Sequence, residues 1–174
     1  IQHGLEATFY EINGKKISTE GFFNKLISLT NKTKKVKGRF FFIGNGASAA
    51  FSNHMALDWS KNGDVNSFSL SDSALMTALS NDYSYDDAFV EFLRIRGVNR
   101  NDIIITISSS GNSENIVNVL NYCKTAKINT VGFSGLRENN KTRSLANLSL
   151  YVPNKTYGIV ECVHQVFLHL WLDK

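Results

Sequence analysis

Two short and almost wholly apolar runs, Phe40-Phe41-Phe42-Ile43 and Ile103-Ile104-Ile105-Thr106-Ile107, each break off in a turn of small residues. Such runs are too brief for a helix and lack the alternation of a strand with one wet face. Each therefore reads as a strand buried on both sides. A strand of that kind needs helices above and below it, and helix-period segments do flank both runs. Ser18 is placed to cap a helix carrying Phe22, Phe23, Leu26 and Ile27 on one face. A helical stretch follows the first turn to about Lys61, and others are predicted near 72–80 and 85–95. A helix after Ser113 puts Ile116, Val117, Leu120 and Cys123 on its inner face, and a last apolar helix covers about 157–172. Further strands are predicted over 68–70, 130–133 and 148–152. Residues 1–14, with Leu5, Phe9 and Ile12, read as a weak amphipathic helical segment ending near Gly14. The alternation predicts an α/β fold with a parallel sheet covered on both faces. The expected organisation is one domain over 1–174, with a helical segment at 1–37 and an αβα core at 38–174.

Composition narrows the function classes. With 174 residues, 43% hydrophobic and 20% charged, the chain can bury an ordinary core and is not disordered. No window approaches the ~18 apolar residues of a membrane span. The net charge of +4 raises a nucleic-acid reading. However, Lys32, Lys34, Lys35, Lys37 and Arg39 lie in one stretch without interleaved aromatic residues, so they read as a solvated loop. No nucleic-acid or membrane partner is expected. Cys123 and Cys162 have no paired spacing, which points to a reducing, cytoplasmic setting. The chain starts at Ile1 rather than Met and reads as a fragment without a visible signal peptide.

In open α/β sheets ligands bind beyond the carboxyl ends of the strands, which directs attention to the two turns. Ser108-Ser109-Ser110-Gly111-Asn112-Ser113 crowds four hydroxyls at a strand-to-helix junction. Free amide groups at a helix start, the positive end of its dipole and hydroxyl donors together suit a phosphate. The lysine of a nucleotide-triphosphate loop is absent. A single capping serine would explain less than four serines and a glycine do. Gly44-Asn45-Gly46-Ala47-Ser48 forms the second small-residue turn, and the two turns suggest one pocket for a small phosphorylated ligand.

Two further groups carry metal-ligand chemistry. His54 and Asp58 share a helix face at i, i+4, a spacing that also serves a plain structural hydrogen bond. Glu161, His164 and His169 interrupt the last apolar helix, where ionisable groups are costly unless paired or ligated. His164 either faces solvent or holds a backbone carbonyl. Glu161 and His169 lie about 12 Å apart along a helix. They can meet one ion only if both side chains lean inward, if the helix starts after Glu161, or if a second subunit supplies one of them.

Taken in order, Gly44-Asn45-Gly46-Ala47-Ser48, His54 with Asp58, Asn81-Asp82-Tyr83, the serine loop, and Glu161 with His164 and His169 resemble the phosphoheptose isomerase family. That family lies within the sugar isomerase (SIS) domain superfamily, and the resemblance covers roughly residues 40–172. It implies a flavodoxin-like three-layer αβα sandwich assembled as a homotetramer with active sites between subunits. It also implies interconversion of sedoheptulose 7-phosphate and D-glycero-D-manno-heptose 7-phosphate, the opening step of heptose synthesis for bacterial surface polysaccharides. Carried over, Ser108, Ser109, Ser110 and Ser113 would hold the phosphate. Asn45, Gly46, Ser48, Asn81, Asp82 and Glu161 would contact substrate. His54, Asp58, Glu161 and His169 would bind a divalent metal such as zinc, with Asp58 the base and His169 its acid partner.

The chain departs from that pattern near the chemistry. Asp58 and Glu161 stand where the family has Glu and Gln, so one carboxylate is shortened and another added. Asn62 replaces a basic residue, and Gly158-Ile159 replaces an Asp-Arg pair. An isomerase of a different sugar phosphate fits these changes. The superfamily also offers a non-catalytic alternative, a sugar-phosphate sensor or a binder of the replication initiator.

Overall fold

The computed structural model describes residues 1–174, and the two apolar runs form adjacent strands at the centre of its sheet. In chain order the elements are α1 (Gln2–Glu6), β1 (Phe9–Ile12), β2 (Lys15–Ile17), α2 (Thr19–Lys35), β3 (Phe40–Gly44), α3 (Ala47–Lys61), β4 (Ser67–Ser69), α4 (Ser73–Asp82) and α5 (Ala88–Ile95). They continue with β5 (Ile103–Ser108), α6 (Glu114–Ala126), β6 (Asn129–Gly135), α7 (Lys141–Leu145), β7 (Leu148–Val152) and α8 (Tyr157–Leu172). Seven strands make one sheet in the order β2-β1-β7-β6-β5-β3-β4. The five from β3 to β7 pair in parallel, and their order is that of a flavodoxin-like sheet. Strand order reverses between β3 and β5, so the turns after those strands open side by side at the topological switch point.

Period-2 alternation divides the core into two layers. Phe40, Phe42, Ile103, Ile105 and Ile107 face Met55 and Trp59 of α3 and Val160, Val163 and Trp171 of α8. Phe41, Ile43 and Ile104 face the other way, onto Phe89 and Leu93 of α5 and Ile116 and Leu120 of α6. Ser18 caps α2, accepting a hydrogen bond from the Gly21 N–H at 3.1 Å.

The first residues depart from the sequence expectation. Only Gln2–Glu6 is helical, and Phe9–Ile17 forms an antiparallel hairpin that docks on β7. The cause is Asn13-Gly14, whose positive φ values of 48° and 75° make the two-residue turn that matches strand twist. Tyr10 then packs on Phe22 and Phe167. On the other face Glu11 is nearly buried and accepts two hydrogen bonds from Arg143, at 2.9 and 2.8 Å, and one from Ser149 at 3.0 Å. Burial alone would raise the Glu11 carboxyl, but these bonds and the Arg143 charge bring it below the usual range. Helix α7, which carries Arg143, had no counterpart in the sequence reading.

The basic stretch also resolves differently from a plain loop. Lys32, Lys34 and Lys35 occupy the last turn of α2, where cations complement the helix dipole. Arg39 forms a fork on the buried Asp102 carboxylate, with Nε at 3.1 Å and Nη2 at 2.8 Å.

His164 takes the second of its two expected roles. It is fully buried, and its Nε2 lies 3.0 Å from the Ser134 carbonyl oxygen. Burial lowers its pKa to about 4, partly opposed by that hydrogen bond. The folded chain thus keeps a neutral imidazole that the unfolded chain, near the reference value of about 6.5, would protonate first. Stability associated with His164 is complete above pH 6.5 and drains as pH falls toward 4, by ~3 kcal/mol in total. Urea titrations at pH 7, 6, 5 and 4.5 should show this loss. His164→Gln should flatten the slope between pH 6.5 and 4.5, and an unchanged slope would assign the acid sensitivity elsewhere.

Candidate active site

Between the two central strand ends lies a cleft of about 120 Å³ lined by Asn45, Ser48, Ile107, Ser108, Ser109, Ser110, Ser113, Tyr157 and Glu161. Its chemistry comes from the bookkeeping of the serine loop. The Ser108 carbonyl accepts from Gly111 N–H, the Ser109 carbonyl from Gly135 N–H, and the Gly111 carbonyl from Thr142 N–H, at 2.9, 3.0 and 2.9 Å. The N–H groups of Ser109, Ser110 and Ser113, by contrast, donate to no group of the chain. Ser109 Oγ is buried without a partner, and the Ser113 hydroxyl makes no capping bond to α6. These three carbonyls are consumed while three N–H groups are left over, an arrangement that suits an anion. Gly111 makes the turn possible. Its φ is +64°, and a Cβ there would sit 2.3 Å from Asn140 Oδ1.

The opposite wall is the β3–α3 turn. Gly46 caps α3 with φ 55°, and Ser48, the second residue of the helix, is buried. Asn45 is held by partners that sequence reading missed. Its Oδ1 accepts from Asn115 Nδ2 at 3.1 Å and from the Tyr85 hydroxyl at 2.9 Å, while its Nδ2 donates to Asn115 Oδ1 at 3.0 Å. One N–H of the Asn45 amide remains available to a ligand. Asn115, two residues past Ser113 and buried in α6, was the available signal. Tyr85, in a loop distant in sequence, offered none.

His54, Asp58 and His169 come together from α3 and α8, with one potential ligand atom of each within 4.8 Å of the others. His54 Nε2 is 3.2 Å from Asp58 Oδ2, and the two imidazole centroids are 5.2 Å apart. Two imidazoles and a carboxylate at this spacing are a donor set that suits a divalent cation. Glu161 is not in this group. It lies two turns nearer the start of α8, on the wall of the serine cleft. Because α8 begins at Tyr157, before Glu161, a helix starting later is excluded as a way to bring Glu161 and His169 to one ion within a chain. Asn81 and Asp82 are exposed at the end of α4, with Asn81 Nδ2 donating to Asp82 Oδ1 at 3.1 Å, and they do not line the cleft of this chain.

A family pattern for the SIS domain matches residues 17–135. Among curated relatives, the phosphoheptose isomerase of Helicobacter pylori (strain Shi470) is 29% identical over 153 residues, covering 84% of this chain and 79% of that protein. That of Aliarcobacter butzleri (strain RM4018) is 31% identical over 154 residues, covering 83% and 79%. The structure of the phosphoheptose isomerase from Neisseria gonorrhoeae superposes with a TM-score of 0.79 at 25% identity, covering 88% of this chain and 84% of that one. By sequence pattern, curated relatives and fold alike, the chain belongs to the SIS domain family and, within it, to the phosphoheptose isomerases.

Proposed function

We propose that this chain is an aldose–ketose isomerase of a sugar phosphate, with sedoheptulose 7-phosphate and D-glycero-D-manno-heptose 7-phosphate as its substrate pair. The observation that carries the reading is the set of unspent donors in the serine loop, opened toward a cleft that also holds a carboxylate. A phosphate seats on the N–H groups of Ser109, Ser110 and Ser113 and the hydroxyls of Ser108, Ser109, Ser110 and Ser113. Glu161, an anion on the facing wall, repels phosphate and accepts from sugar hydroxyls, which orients the substrate along the cleft. Asn45, Gly46 and Ser48 contact the sugar, and Asn81 and Asp82 approach it from a neighbouring subunit.

Isomerisation moves a proton between C1 and C2 through an enediol. Asp58 removes the proton from C2 of the aldose while an acid protonates O1. The same carboxyl group then returns that proton to C1 while the group that protonated O1 takes the proton from O2. We assign the acid to His169. His54, Asp58 and His169 would hold a divalent cation, a donor set that suits zinc, the ion we assign, as well as iron or manganese, and when bound it would supply Lewis acidity at a sugar oxygen. A nitrogen of His169 engaged on a cation cannot also carry the transferred proton, so the two roles require its two ring nitrogens. Holding the phosphate remote from C1 fixes the open chain in reacting geometry, a contribution that can reach ~7–11 kcal/mol in the best intramolecular cases.

The enzyme reading includes a homotetramer with sites between subunits. Leu57 and Leu170, 62% and 41% exposed, adjoin Asp58 and His169 on the same two helices, an apolar surround that a second subunit would cover. No helix is long and apolar enough to cross a membrane. Free Cys123 and Cys162 accord with a cytoplasmic setting.

The test is proton exchange at C1 and C2 across a panel of six- and seven-carbon sugar phosphates, with metal content measured on the same preparations. Exchange with the heptose pair, and metal bound by the parent chain but not by His54→Ala, is the expected result. Exchange with a six-carbon sugar phosphate alone would reassign the substrate. Sugar-phosphate binding without exchange would leave a sensor.

A further inference from the structure

The serine loop is held from outside as well as by its own hydrogen bonds. The Gly111 carbonyl accepts two bonds from one residue of α7, the Thr142 N–H at 2.9 Å and the Thr142 hydroxyl at 3.1 Å. Because a peptide is planar and trans, turning that carbonyl toward α7 turns the Asn112 N–H the opposite way, where it meets Ser110 Oγ at 3.2 Å. Asn112 Oδ1 in turn accepts from the Lys141 N–H at 2.9 Å, and the Asn140 side chain fills the space a Cβ on Gly111 would need. The start of α7 therefore grips the loop at two successive residues.

A helix of one and a half turns cannot position a loop unless something positions it. Arg143, the next residue after Thr142, has a side chain 11% exposed and makes the twin bonds to Glu11 of the N-terminal hairpin. Its Nη1 donates to the Glu138 carbonyl at 2.8 Å, and its guanidinium lies 4.6 Å from the Tyr151 ring centroid. Asn140 caps the same helix, accepting from the Arg143 N–H at 3.0 Å. A continuous connection thus runs from β1 through the Glu11–Arg143 hydrogen bonds, the peptide link from Arg143 to Thr142 and the Thr142–Gly111 hydrogen bonds, from the strand beside the β2 edge of the sheet to the anion cleft.

We propose that α7 is a clamp that presets the serine loop for phosphate, with Thr142 as a positioning residue and the Glu11–Arg143 pair as the clamp's anchor. This rests on the phosphate reading of the loop. The anchor pair touches no substrate and acts only by keeping the Gly111 carbonyl out of the cleft. An inward-turned carbonyl would place a negative dipole end against the phosphate and withdraw a donor.

The test uses the full chain, with sedoheptulose 7-phosphate turnover and inorganic phosphate as a competitive ligand. Thr142→Val keeps volume and backbone but deletes one bond to Gly111. It should raise KM and the phosphate inhibition constant about fivefold, leave kcat within about twofold, and be rescued by Thr142→Ser. Glu11→Gln should raise KM in the same direction. The double variant Glu11→Gln/Thr142→Val should fall short of the product of the single effects, since both loosen one helix. A loss of melting temperature with KM unmoved in Thr142→Val, or fully multiplicative effects, would overturn the clamp. Ser109→Ala separates the two ideas. If it weakens phosphate while Thr142→Val does not, the loop binds phosphate without a clamp. If Ser109→Ala and Gly111→Ala both leave phosphate inhibition unchanged, the loop reading fails and the clamp with it.

Discussion

Replacing Asp58 by asparagine is expected to lower turnover roughly 10²–10⁴-fold, the range general-base catalysis supplies, while sugar-phosphate binding persists. The amide keeps the size of the side chain and a contact with His54 but cannot accept the C2 proton. The serine cleft is lined by the β5 end with its serine loop, the β3–α3 turn and the start of α8, and not by Asp58, so calorimetric affinity for the sugar phosphate should change little. Metal analysis of the same variant separates loss of the base from loss of a ligand. Turnover retained within a few-fold at full metal occupancy would remove Asp58 from the proton path.

Removing the Asp102 side chain should produce the largest loss of stability. Asp102 is 1% exposed and accepts from Arg39 N, Nε and Nη2 and from Asn99 N. These bonds tie the starts of β3 and β5, the strands whose far ends carry both cleft walls. Asp102→Ala strands those donors and leaves a guanidinium without its partner, a change of the class that costs ~3–5 kcal/mol. For a domain of this size that corresponds to a drop of roughly 6–20 °C in melting temperature. A loss under ~1 kcal/mol would mean that water replaces the carboxylate and that the pair contributes little. Asp102→Asn should cost less, because one amide oxygen still accepts.

The distinction between these two aspartates was only half visible beforehand. Asp58 at i+4 from His54 signals chemistry because a helix puts the two side chains on one face whatever surrounds them. In the sequence Asp102 simply precedes the apolar run Ile103–Ile107. Its pairing with Arg39, 63 residues away, depends on β3 and β5 being neighbours, which local pattern does not encode. The same limit hid the Arg143–Glu11 pair and the Tyr85–Asn45 bond. The N-terminal hairpin is a different case, since Asn13-Gly14 was in plain view and was outweighed by a weak helical spacing of Leu5, Phe9 and Ile12.

What this chain's residues determine unaided are the local terms. The all-apolar runs demand burial on both faces, the small-residue turns demand strand-to-helix junctions, Ser18 demands a helix start, and Gly111 permits a turn that a Cβ would obstruct. Tertiary structure alone decided which strand ends lie side by side, that Glu161 stands with the serines rather than with His54, Asp58 and His169, and that α7 holds the loop open. The reason is range. Burial, dihedral preference and capping act within a few residues, whereas a hydrogen bond or shared ligand between distant segments exists only after the sheet order has brought them together.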